Sequence, residues 1–391
     1  MTTNNLSEAA AGSLFRCIDR AEPEFYGFLK QMVSIESCSG DTEGIDRLGD
    51  SIADFARRKG FTPVRHPFPL AGNGLVLSSP GTEEKKPLCF IAHLDTVHAK
   101  GSFARMLEEA DGCLYGPGVV DCKGGIAVAL LAMTALRQAG FTGRPLKLVL
   151  TPDEEVSTCL SGEEGIAFIQ SETKDCAAAI TCECGTNGEA VVQRKGILKA
   201  DITIAGKAAH AGMHYDRGVS AVREAARKIL ALENRSHIGR ITYNCGLIQG
   251  GTTYNVVPEH CRIGVDIRFG TSSEQEEAMR VLEEVAGQSY VPGTTSQIRL
   301  YGRRPPMEKT DGGMELFELI RRTGERYGLE ELSPLLNGGG SDAAYSAQTG
   351  TPSICGMGIT GRDWHTTEER AEIASLARRA KLLAATAAQM E

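Results

Sequence analysis

Leu88-Cys89-Phe90-Ile91-Ala92-His93-Leu94-Asp95 is the stretch that decides the fold: five apolar residues, then a histidine and an aspartate two positions apart. A short unbroken apolar run bounded by polar residues reads as a strand buried on both faces. Residues 124–138 follow as a helix with Ile126, Val128, Ala129, Leu130 and Met133 on nearly every face, which predicts a buried helix ended by Gly140. Leu146-Lys147-Leu148-Val149-Leu150 is a second strand, 165–171 a second helix and 177–181 a third strand. Strand and helix in alternation describe an α/β sheet with crossover helices.

After Lys195 the texture changes. Residues 196–204 and 260–269 alternate polar and apolar positions, as in Arg262-Ile263-Gly264-Val265-Asp266-Ile267-Arg268, and helices are expected at 219–233 and 273–287. This is a smaller α+β unit. Beyond Arg304-Pro305-Pro306 a helix at 313–327, a glycine-rich turn and a final helix at 372–389 return to the first style. A chain of 391 residues exceeds what one core usually organises, so we expect a first domain in two parts, 1–194 and 304–391, interrupted by an inserted domain at 195–303.

Composition narrows the function. The 42 basic and 50 acidic residues give a net charge of −8 with no basic block, which disfavours a nucleic-acid partner. The longest apolar run, 126–133, is far shorter than the roughly 20 residues a membrane helix needs. Met1-Thr2-Thr3-Asn4-Asn5 shows no basic segment leading into an apolar one, so a cytoplasmic location is expected. The 12 cysteines contain no C-x2-C pair; Cys182 and Cys184, flanking Glu183, are expected to pack as small hydrophobes pointing away from that glutamate.

Acids and histidines end nearly every apolar run, where open α/β sheets gather their ligands. His93 and Asp95 follow the first strand; Asp121 follows Gly116-Pro117-Gly118-Val119-Val120; Asp153-Glu154-Glu155 follow the second strand, Glu183 the third, and His365 follows a run ending at Gly361. Each has an ordinary reading alone: a strand-end histidine, a helix cap at Asp121, a solvated acidic helix start at 153–155, an exposed loop acid. Gathered at one sheet edge, however, these carboxylates would repel one another without cations. Two divalent metals supply that charge, and imidazole with carboxylate donors suits zinc or its neighbours.

Taken together these motifs resemble the M20 metallopeptidase family, from about Asp19 to the C-terminus. The resemblance implies a zinc-exopeptidase type of fold, a central mixed sheet flanked by helices, with the inserted α+β unit as lid and dimerisation domain. It implies that Asp121 bridges two ions, that His93 and Glu183 hold one and Glu155 and His365 the other, that Asp95 orients His93, and that Glu154 is the general base. Zinc is the expected metal, with cobalt or manganese as alternatives. His210, in Gly206-Lys207-Ala208-Ala209-His210-Ala211-Gly212, matches a lid histidine that reaches the partner subunit's site in a homodimer. Asn255 and Arg268 match residues that hold the substrate carboxylate, with Arg304, Gly340 and Ser341 as further substrate contacts. The resemblance also implies a cis peptide at Asp121-Cys122, and Cys122 stands where the family commonly has methionine.

The implied activity is a two-metal amide hydrolase acting on a small peptide or N-acyl amino acid with a free carboxylate. The texture at 337–345 is most like that of a glutamate carboxypeptidase. A biosynthetic deacetylase or desuccinylase is the alternative within the family, and a catalytically inactive dimeric binding protein the alternative outside enzymes.

Overall fold

The computed structural model describes residues 6–80, 84–141 and 143–390. Met1 to Asn5, on which the expectation of no leader rests, lie outside them. The chain forms two compact units, one of Met1–Gln193, Lys309–Leu336 and Ser341–Glu391, the other of Arg194–Glu308 with Asn337–Gly340. Residues 304–308 and 337–340, read from the sequence as part of the first unit, therefore belong to the second. Among the described residues no helix is long and apolar enough to cross a membrane.

The first unit is built on a six-stranded mixed sheet in the order Thr62–Phe68, Gly72–Ser79, Leu146–Thr151, Leu88–His93, Ala178–Thr181, Ser353–Ile354. The first two strands form an antiparallel hairpin that pairs antiparallel with Leu146–Thr151, and the last four strands run parallel. Parallel strands end at one edge, so their C-terminal residues and the loops beyond them converge there. Register tightens this: His93 pairs with Thr151, two residues before Asp153.

Helix Lys123–Gln138 packs tightly beneath that edge. Every residue from Lys123 to Leu136 is buried, as expected for a helix apolar all round. Its start packs so closely on the third strand's exit that a Cβ at Gly125 would stand 1.8 Å from the Cys182 carbonyl oxygen; only glycine fits. Gly140 follows the helix at φ 81°, the left-handed position that ends it.

The second unit is a four-stranded antiparallel sheet, in the order Thr242–Gly250, His260–Phe269, Gly196–Ala205, Thr295–Arg304, with helices Ala221–Glu233 and Ser272–Gly287 sharing its core. Inside it, Lys228 and Glu224 form a fully buried ion pair at 3.1 Å. The ammonium donates to the Val285, Ala286 and Gln288 carbonyls, and the carboxylate accepts from the Tyr290 and Val291 amides. A buried pair satisfied this fully fixes the exit of the second helix. Thr242–Gly250 is an outer strand, with Leu247 and Ile248 more than half exposed.

Candidate metal centre

Asp121 is the hub. Its Oδ1 stands 3.0 Å from His93 Nε2 and its Oδ2 3.2 Å from His365 Nε2. It does not cap the helix that follows; no side chain caps that start. Burial works against its charge, but the hydrogen bonds from His365 and His93 win and hold its carboxyl well below the usual range. The Asp121-Cys122 peptide is cis, as the resemblance implies.

The loop before Asp121 is held by a residue the sequence reading passed over. Glu369, only 1% exposed, accepts from the amides of Gly118, Val120 and Asp121, and from His98 Nε2 at 2.7 Å. The signal was the acidic pair after His365-Thr366-Thr367.

Asp95 ties the first strand to the second. One oxygen accepts from the Glu154 amide at 3.0 Å and the other from the Glu155 amide at 3.1 Å and the Ser39 hydroxyl at 2.7 Å. His93 Nδ1 lies 3.0 Å from the Asp95 carbonyl, which keeps a proton on Nδ1 and presents Nε2 to Asp121. Cys122 sits behind the ring: its Sγ accepts from the His93 amide at 3.1 Å, and burial pushes its thiol up to about 12. It is a packing residue.

The acidic triplet at 153–155 is no solvated helix start. Asp153 is fully buried and accepts from the Leu160 and Ser161 amides and the Ser161 hydroxyl, tying a tight turn. Ser157 and Thr158 lie in the left-handed region within it, at φ 59° and 56°. That turn carries Glu154 and Glu155 to the sheet edge. Glu155 Oε2 lies 3.2 Å from His365 Nε2, and its Oε1 is buried without a hydrogen-bond partner. Burial pushes its carboxyl up to about 7, while His365 is raised to about 10 by its hydrogen bonds to Asp121 and then Glu155. His365 comes from the loop between Gly361–Arg362 and Arg370–Glu372 and has a left-handed φ of 63°.

Ligand-type atoms thus fall into overlapping groups whose members lie within 4.8 Å of one another: His93, Asp121 and Glu155; His93, Glu154 and Glu183; Asp121, Glu183 and Cys184. The orphaned, buried Glu155 oxygen amid other carboxylates is the mark of a place built for cations. The donor chemistry of these groups fits divalent cations, with Glu154 among them and His365 3.2 Å from both Asp121 and Glu155.

Three residues that the resemblance places at the substrate have these surroundings. Ser341 is fully buried and donates to Glu183 Oε1 at 3.1 Å, so it supports a carboxylate. Arg304 is 2% exposed at the end of its strand, and Gly340 leaves the space that Arg304 and Ile197 occupy: a Cβ there would meet Arg304 Cδ at 2.9 Å. In the second unit His210 and Asn255 are exposed. His210 Nδ1 accepts from the Gly212 and Met213 amides, each at 3.2 Å, which places its proton on Nε2 as a donor. Arg268 makes a two-pronged pair with Asp266, at 2.6 and 3.1 Å.

The sequence model of peptidase family M20/M25/M40 matches residues 89–389. Carboxypeptidase G2 of a Pseudomonas species is 29% identical over 96% of this chain and 91% of its own length. Acetylornithine deacetylase of Myxococcus xanthus is 33% identical over 54% of this chain and 58% of its own. Aminopeptidase PepT of Bacillus cereus has a TM-score of 0.79 at 22% identity, covering 93% of this chain and 97% of that one, a likeness of fold alone. That fold is of the zinc-exopeptidase type, with the central mixed sheet expected from the sequence.

Proposed function

The chain belongs to peptidase family M20/M25/M40, divalent-metal hydrolases of peptide and amide bonds, and from that premise we propose that it is an exo-carboxypeptidase releasing a C-terminal amino acid from a small peptide or N-acyl amino acid. The observation that carries the reading is that likeness to carboxypeptidase G2 runs through nearly the whole chain, inserted unit included.

Asp121 would be shared by two divalent ions, with His93 and Glu183 holding one and Glu155 and His365 the other; zinc would suit these donors, with cobalt or manganese as alternatives. Bound there, the ions supply an acidified water and polarisation of the scissile carbonyl. Glu154, whose amide is fixed by Asp95, takes the proton of the attacking water and returns it to the leaving nitrogen, a transfer typically worth about 10²- to 10⁴-fold. His210 donates from Nε2 to the developing oxyanion. Arg268 and Asn255 select the free carboxylate. Asp266 pairs with the arginine, so the substrate takes its remaining donors.

The inserted unit is the lid and dimerisation domain. Its outer strand, with exposed Leu247 and Ile248, is a ready edge for a second copy, and His210 acts across that dimer.

Metal-loaded protein assayed against N-acylated dipeptides, free dipeptides and N-acetyl and N-succinyl amino acids tests the reading. Release of a C-terminal amino acid from the peptides supports it. Hydrolysis confined to acetyl or succinyl compounds replaces it with the biosynthetic deacylase, the second reading that the partial likeness to acetylornithine deacetylase favours.

A further inference from the structure

We propose that Cys184 supplies a thiolate donor to the ion that Glu183 holds, making this centre softer than one of imidazole and carboxylate alone; the inference rests on the two-metal reading above. Both cysteines flanking Glu183 pack on the core, as expected, Cys182 fully buried within it and Cys184 against it, but they differ in what else they meet. Cys184 is only partly buried, and its sulfur lies within 4.8 Å of ligand oxygens of both Asp121 and Glu183. The reason is local: the strand ends at Thr181, so the alternation that sends successive side chains to opposite faces no longer governs residues 183 and 184.

The spacing suits a shared cation. With metal–oxygen and metal–sulfur bonds of about 2.1 and 2.3 Å, donors on one tetrahedral ion stand roughly 3.4 to 3.8 Å apart, a gap that small side-chain rotations close from this starting point. The adjoining ion, which shares Asp121 with this one, carries an observation independent of the cysteine. Asp121, common to the groups, also lies with Glu155, whose side chain is 5% exposed and whose buried Oε1 has no partner. A thiol that binds a divalent ion does so as thiolate, releasing its proton to solvent. Sulfur ligation favours zinc and cobalt over manganese and magnesium, so this residue also bears on which metal the chain takes.

Cobalt reads the contact directly, because a thiolate on Co(II) gives a sulfur-to-metal charge-transfer absorption in the near ultraviolet. Wild type, Cys184→Ser, Cys184→Ala and Cys122→Ala are loaded with cobalt, their metal content is measured, and spectra are recorded. The expected result is two cobalt ions in each protein and the absorption in wild type and Cys122→Ala. Both Cys184 variants should lack it and show at least a tenfold fall in preference for cobalt over manganese. Two bound cobalt ions without the absorption in wild type, or the absorption surviving in Cys184→Ser and Cys184→Ala, overturns the thiolate donor alone. Absence of bound cobalt in wild type overturns the two-metal reading, and the donor with it.

Discussion

Replacing Glu369 with glutamine tests whether the centre depends on a residue outside the proposed ligands. Its Oε1 accepts from the Val120 and Asp121 amides at 2.8 and 3.1 Å, and its Oε2 from the Gly118 amide at 3.1 Å and His98 at 2.7 Å. In its better orientation a glutamine keeps its oxygen on Val120 and Asp121 and turns its NH2 toward the other pair. His98 accommodates this by changing tautomer, but the Gly118 amide then faces a donor. One buried N–H left unsatisfied costs about 1 to 3 kcal/mol, and loss of charge assistance at the two retained bonds about 1 kcal/mol each. The sum is about 3 to 5 kcal/mol, divided between global stability and the placement of Asp121. We expect a 10- to 100-fold weaker metal affinity, the usual effect of removing support behind a ligand, with the remainder appearing in urea unfolding of the metal-free protein. Competition with a chelator measures the first and the unfolding midpoint the second. Glu368→Gln, at an exposed neighbour paired with Arg105, is the control and should change both by little. Glu369→Gln matching that control in both measurements would refute the reasoning.

The adjacent glutamates should separate cleanly: Glu154→Gln keeps both metals and loses several orders of magnitude in turnover, whereas Glu155→Gln loses one ion, and the reverse pattern in metal analysis and kinetics shows the roles exchanged. Metal affinity should rise with pH. In the metal-free protein His365 is raised to about 10 and Glu155 to about 7, so both are protonated at low pH and must release protons to bind. Affinity should therefore climb at least tenfold per pH unit between pH 6 and 8, more steeply below 7, and a flat profile by chelator competition contradicts the assignment. Mixing inactive His210→Ala with inactive Glu154→Gln subunits should restore one site per heterodimer; confirmed exchange without activity means His210 does not act in trans.

What the sequence made legible was whatever lies in short, contiguous signals. The parallel strands announce themselves as apolar runs because both of their faces are covered, and the ligand-type residues stand immediately after them. The hairpin Thr62–Phe68 with Gly72–Ser79 escaped that reading for a physical reason: its first strand carries Pro63 and Pro67, which argue against a strand, and it is tolerated because it lies at the sheet's edge. The second layer of the site escaped for another. Glu369 reaches the Gly118 amide 251 positions away, Ser39 reaches Asp95 across 56, and Ser341 reaches Glu183 across 158. Each is a polar residue whose local sequence is compatible with an exposed loop, and only the folded chain reveals that its hydrogen bonds hold a ligand in place. Cys184 is the converse: strand alternation, extrapolated past the strand's end, hid a ligand-type atom that the turn brings to Asp121. The sequence thus offers candidate donors where apolar runs end, while the groups that fix their geometry and tune their affinity must be taken from the fold.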